Sequence, residues 1–274
     1  MNISPSHLIS PSAKQWKRLI GAAVVVGSAI ALSACGSTAS SSPTTSSSAV
    51  SSPAVTPVAT SAASSPVAIP TATKTYPGVL TVPGVFVGPN GAAQATNTSS
   101  APVRIDLFTD YMCPYCGQFE KQNGQALINL VTAGKIVLVQ HPMNFLDQSS
   151  EGTKYSTRAA NDALIVAADD PSHYGAFHLA LFENQPEEGS LGLTDAQLAK
   201  LAQDAGVPAS VTAKFTPVTK AAQVDQITAE SLKAGVQGTP AIYVSSARQK
   251  PVLWDGQTDL NSLISTLAAQ VQGK

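Results

Sequence analysis

The sequence predicts an α/β domain over residues 76–274, built on a strand–helix–strand unit with a helical block ahead of its last strands. Three observations predict it. The apolar run at residues 103–109 reads as a strand buried on both faces. A helical stretch follows, with Phe119, Leu127, Leu130 and Val131 on recurring faces and Gly134 placed to close it; a second β-branched run then occupies residues 135–140. Strand, helix and strand in that order make a parallel βαβ unit. Residues 153–235 carry only helical signals, and strands resume at 239–244 and 251–254.

Taken from the N-terminus, the chain first reads as an export signal. Lys14, Lys17 and Arg18 precede an apolar stretch at residues 19–32 that includes Val24, Val25, Val26 and Ile30. That stretch is too short to span a hydrocarbon core about 30 Å thick. Leu32, Ser33, Ala34 and Cys35 then resemble the lipobox of bacterial lipoproteins, in which the chain is cut before a cysteine whose sulfur carries a diacylglycerol. The resemblance implies a signal peptide at residues 1–34 and a lipid anchor on Cys35, holding the protein on the extracytoplasmic face of the cell membrane.

Residues 36–75 are almost wholly Ser, Thr, Ala, Pro and Val, with Lys74 as the single charge and no aromatic residue. Such a segment cannot bury enough apolar surface to offset its ordering entropy, so residues 35–75 are expected to be a disordered tether. As a flexible coil it would reach about 35 Å. The first acidic residue of the chain is Asp106, and from Thr75 onward there are 12 Lys/Arg against 17 Asp/Glu. With no basic run, nucleic acid is not an expected partner.

Within the folded part, residues 79–82 and 85–87 read as short strands split by Pro83 and Gly84, with a turn at 88–91. The helical block divides into segments at 155–169, 174–184, 194–205 and 217–234, separated by Pro171, residues 186–189 and residues 206–208. Thr194 and Gln197 form a capping-box pattern. A last helix at 259–270 has Asp259 as N-cap and Leu260, Leu263, Ile264 and Leu267 at helical spacing.

The chemistry lies in Cys113-Pro114-Tyr115-Cys116, directly after the buried strand and opening a helix. The nucleophile of disulfide exchange is a thiolate, and a helix N-terminus stabilises it through unpaired N–H groups and the helix dipole. Cys113 at the N-cap receives most of that field, and Pro114 suits the first helical position, where a missing N–H costs nothing. The chain has three cysteines. If Cys35 carries lipid, the other two are the C-x-x-C pair and no structural disulfide remains.

From about Tyr76 onward the chain resembles the DsbA-type branch of the thioredoxin superfamily. The likeness rests on residues 108–116, on Gly238-Thr239-Pro240 and on the helical block between them. It implies a thioredoxin-like fold with a helical insertion between the βαβ unit and a cis-proline strand. It further implies Cys113 as the attacked sulfur, Cys116 as its buried partner, Pro240 as cis, and Thr239 as lining a peptide groove. The expected substrates are extracytoplasmic proteins with free thiols, and the expected redox partner is a quinone-linked membrane protein. A monomer is expected, since no dimerisation module is visible. No cofactor is expected.

One departure stands out. Family members often carry a buried acid six positions before the nucleophile, where this chain has Leu107; Asp106, one residue off, would face the other side of its strand. Asp110 matches an acid placed three positions before the cysteine. It is the candidate for tuning the cysteines or relaying a proton, beside the plainer reading of an acid that closes the strand end.

Rival readings carry less. C-x-x-C is half of a tetrahedral zinc site, but there is no second such pair and no closely spaced histidine pair, so no metal site is expected. Glutaredoxins share the four-residue motif, but export, length and the helical block oppose that assignment. A binding or metal-site assembly lipoprotein would need further ligands near the pair, for which only Met112 and Met143 are available. His141, His173 and His178 are expected to be structural or surface residues, Tyr243 and Trp254 to pack the sheet, Tyr115 to be exposed, and Arg158 to serve its own helix. Oxidase, reductase and isomerase use the same residues, so the direction of electron flow stays open at this level.

Overall fold

The computed structural model describes residues 75–273. The expected signal peptide, the expected lipid site at Cys35 and the expected tether as far as residue 74 lie outside them. The sheet is laid down around β3 (Val103–Thr109). It pairs in parallel with β4 (Ile136–Pro142) and antiparallel with β5 (Ala241–Ser246). With β1 (Val85–Val87), β2 (Ala93–Gln94) and β6 (Val252–Leu253), the strand order is β2-β1-β4-β3-β5-β6. The βαβ unit is thus β3, the helix α1 (Pro114–Thr132) and β4.

Both central strands are almost wholly buried because both faces are covered, with the polar Arg104, Asp106, Gln140 and His141 among their apolar residues. Ile105, Leu107, Phe108 and Ile136 are wholly buried, each worth roughly 1.5–3 kcal/mol. Helix α1 packs on β4, and the last helix α7 (Leu260–Gln272) on β3 and β5. Asp259 caps α7 by accepting the Ser262 N–H at 2.8 Å. Beyond Gly134, whose φ of +66° ends α1, the Lys135 N–H returns to the Leu130 carbonyl at 2.9 Å.

The insertion comprises α2 (Tyr155–Asp169), α3 (Tyr174–Glu183), α4 (Asp195–Asp204), the one-turn α5 (Ala209–Thr212) and α6 (Ala221–Ala234). Thr194 and Gln197 form the expected capping box at α4. Helix α3 stands against both α1 and α2. Its Gly175 meets the turn at Gly91 so closely that a Cβ there would lie 2.8 Å from the Gly91 backbone. Among the described residues no helix is long and apolar enough to cross a membrane.

Two element assignments differ from expectation. The strand expected at 79–82 is a 3-10 helix, Pro77–Thr81, opened by Pro77. Val79 and Val82 are buried all the same, so their apolar character marks packing rather than extension. The helix expected from 217 begins at Ala221, after a cis Thr216–Pro217 bond, where the Lys220 N–H is held by Asn161 Oδ1 at 2.8 Å.

Candidate redox site

Strand β3 delivers the chain into a turn whose Tyr111 and Met112 are wholly buried. Cys113 follows as the N-cap of α1, with φ −72° and ψ 116°, and Pro114 occupies the first turn. The Cys113 carbonyl accepts the first intrahelical bonds, from Cys116 N at 3.0 Å and Gly117 N at 3.2 Å. Both cysteines are free thiols; Cys113 keeps 4% of its surface and Cys116 none, while Tyr115 between them is 71% exposed.

The two thiols are electrostatically unlike. A hydrogen bond from Cys116 lowers the Cys113 pKa to about 6, against opposing burial and helped by Thr239 and the N–H groups of Cys116 and Tyr115. Burial pushes the Cys116 thiol well above the usual cysteine range, and the neighbouring Cys113 adds to the rise.

The segment entering β5 closes the site. The Thr239–Pro240 peptide is cis, and the Cys113 thiol donates to the Thr239 carbonyl at 3.2 Å. Strand pairing brings them together, since Ala241 stands opposite Phe108.

Asp110 is wholly buried beside the turn. Its carboxylate accepts the Met112 and Leu146 N–H groups, each at 2.8 Å, and the Ser156 hydroxyl at 2.6 Å. Burial raises its pKa to about 6, the three hydrogen bonds pull it back, and the Cys113 charge adds to the rise. Asp110 therefore ties the redox turn to α2 and to the loop after β4. Asp106 lies elsewhere, gripped by Arg104 at 2.6 and 2.8 Å and by His141 at 3.1 Å.

Two groups of residues at the site went unnoticed in the sequence. Glu120, four positions after Cys116 and so on the same face of α1, is buried against His178 Nε2 at 3.1 Å. His178 Nδ1 in turn meets the Tyr111 hydroxyl at 2.9 Å. The i, i+4 spacing from Cys116 could have pointed to Glu120. Gln185 donates from one amide nitrogen to the Tyr111 and Cys113 carbonyls, and no local signal marks it.

Among the remaining residues, His173 pairs with Asp170 near the surface. Tyr243 is core, and Trp254 is partly buried against Phe119. Arg158 reaches beyond its helix to Asp195, at 2.7 Å, rather than serving its helix alone.

The fold and site define a DsbA-like protein of thioredoxin fold, a class whose members are thiol–disulfide oxidoreductases. A family model described as thioredoxin matches residues 95–257, more than half of the chain, and the chain belongs to that family.

The reduced DsbA of Mycobacterium tuberculosis is 25% identical, with a TM-score of 0.52 over 69% of this chain and 99% of that one. BdbD of Bacillus subtilis, at 23% identity, shares the fold with a TM-score of 0.56 over 74% of this chain and 99% of its own. In sequence, the Bacillus subtilis disulfide bond formation protein D is 27% identical over 64% of this chain and 75% of that protein. The serine/threonine-protein kinase PknE of Mycobacterium tuberculosis is 33% identical over 65% of this chain, which spans only 29% of the kinase.

Proposed function

We propose that this chain is an exported thiol–disulfide oxidoreductase of DsbA type that donates the Cys113–Cys116 disulfide to extracytoplasmic proteins carrying free thiols. The asymmetry of the pair carries the reading. A Cys113 thiolate stable near neutral pH is a good leaving group and favours the reduced form, so its disulfide is a good oxidant.

In the first step a substrate thiolate attacks Cys113 Sγ. The bond to Cys116 breaks, and the electron pair leaves on Cys116, which takes up a proton because its pKa is high. A second substrate thiolate then attacks the substrate sulfur of the mixed disulfide and expels Cys113 as a thiolate. Two electrons pass from the substrate dithiol to the cysteine pair, and the cysteines need no cofactor.

Thr239 and Pro240 line the groove for the substrate segment, Asp110 tunes the pair, and exposed Tyr115 joins the contact surface. Reoxidation falls to a quinone-linked membrane partner. A lipid on Cys35 and the tether behind it would keep the monomeric domain within reach of that partner.

The test is to mix the oxidised protein with a reduced, unfolded model protein and to measure its equilibrium with glutathione. One disulfide transferred per molecule, with a potential well above thioredoxin's of about −270 mV, is expected. A potential as low as thioredoxin's would make the protein a reductase, and no exchange at all would end the assignment.

A further inference from the structure

Gln185 belongs to the segment joining α3 to α4, 72 residues from Cys113 in sequence. Its side chain crosses from the insertion onto the redox turn. The amide nitrogen lies 3.0 Å from the Tyr111 carbonyl and 2.8 Å from the Cys113 carbonyl. Two acceptors on one side settle the amide's orientation, because its oxygen could bond neither of them. The amide oxygen lies over Gly117, where a Cβ would overlap it. Thus α1 carries a residue without a side chain where Gln185 crosses its first turn.

The Cys113 carbonyl is shared. It accepts from Gln185 and also from the Cys116 and Gly117 N–H groups that begin α1. The orientation of that one peptide decides whether the first N–H groups of the helix stay aimed at the Cys113 sulfur. A helix start is the part of a helix most prone to fray, since its own hydrogen bonds hold it on one side only.

We propose that Gln185 is a positioning residue for the redox pair: its amide clamps the Cys113 carbonyl, so that the helical insertion sets the reactivity of a cysteine in the thioredoxin core. The proposal rests on reading Cys113 as the attacked sulfur. Gln185 is half-buried and lines an open cleft of about 470 Å3 with Leu193, Gln197 and Leu201. Water can therefore replace its hydrogen bonds, and the fold survives their loss while the geometry of the turn relaxes.

The test uses Gln185→Ala, the shape-preserving Gln185→Met, Gly117→Ala, and Gly117→Ala combined with Gln185→Ala. Two readouts are taken from each protein: the pH titration of the Cys113 thiolate and the equilibrium with glutathione. Both Gln185 variants should move the titration up by about one pH unit and shift the equilibrium about tenfold toward the disulfide. Melting temperature should hardly change. Gly117→Ala alone should do the same by displacing the amide, and in the Gln185→Ala background it should add nothing. Natural-chain values in both Gln185 variants, or an equal Gly117→Ala effect in both backgrounds, would overturn the clamp. The thiolate titration needs no substrate, so it judges the clamp even if the natural chain fails to exchange disulfides. Conversely, an active natural chain with silent Gln185 variants removes the clamp and leaves the oxidoreductase reading intact.

Discussion

The Sγ of Cys113 lies 3.2 Å from the carbonyl oxygen of Thr239, although 126 residues separate the two in the chain. The contact exists because β3 ends where β5 begins, with Phe108 paired to Ala241. If Thr239 lines the substrate groove as proposed, a segment reaching Cys113 passes its backbone, so exchange chemistry and peptide recognition would share the end of the central strands where β3 leaves the sheet and β5 enters it. An extended peptide can pair with backbone groups there while its cysteine meets Cys113.

Cys116→Ser should trap that encounter. Without the buried thiol, a mixed disulfide on Cys113 cannot be resolved from within the protein, and covalent complexes with substrates should accumulate. Cys113→Ser should form none and should abolish exchange. Non-reducing electrophoresis reads both, and wild-type turnover in either variant would remove the pair from the mechanism.

Asp110 and Cys113 both titrate near pH 6, and each charge disfavours the other. Their protons therefore leave as a coupled pair. Asp110→Asn removes one charge, so the Cys113 titration should narrow to a single step and move below its natural midpoint. Ultraviolet absorbance of the thiolate against pH checks this. An unaltered curve would reduce Asp110 to an acid that closes the strand end.

Asp162 predicts a pH dependence of stability. Burial raises its pKa to about 8, opposed by a hydrogen bond from Asn161 and by Arg158, while Asp195 adds to the rise. Between its usual value of 3.8 and about 8 the folded chain holds a proton that the unfolded chain has released. Stability therefore falls as pH rises through that window, and the cost is complete above it. Asp162→Asn should flatten the dependence and stabilise the protein by about 2 kcal/mol at about pH 8. Urea unfolding at both ends of the window provides the measurement, and a variant no more stable at the alkaline end would contradict the prediction.

His178→Leu leaves Glu120 and the Tyr111 hydroxyl buried without their shared partner. The loss should be about 2–4 kcal/mol, mainly from stranded polar groups. Because Tyr111 lies two residues before Cys113, the exchange rate should fall as well. Denaturant unfolding and an exchange assay on the same sample test both parts, and unchanged stability would mean that water replaces the histidine.

If Cys35 carries the proposed lipid, Cys35→Ala should release the domain from the membrane while leaving exchange activity intact. Fractionation of cells expressing the variant decides it. Recovery of Cys35→Ala in the membrane fraction would point to an uncleaved anchor instead of a lipid.

Features that depend on near neighbours were legible in the sequence. The buried strand, the cysteine at a helix N-terminus, the capping box at Thr194 and the α2 bounds of Tyr155–Asp169 follow from periodicity, proline placement and local capping. The exceptions were also local: Val79 and Val82 satisfy burial equally well in a 3-10 turn, and the helix expected from 217 starts four residues later, at Ala221.

What the amino-acid order determined by itself, then, was a C-x-x-C dithiol where the first strand of a βαβ unit meets its helix, and a helical block inserted after that unit. Only the tertiary structure decided what surrounds that dithiol. The Leu146 and Ser156 groups on Asp110, His178 on Glu120, and Gln185 on the Cys113 carbonyl all join segments 36 to 72 residues apart. None has a local signature. A buried polar atom needs a partner but does not say where in the chain that partner lies, and only the packing of sheet against insertion supplies it.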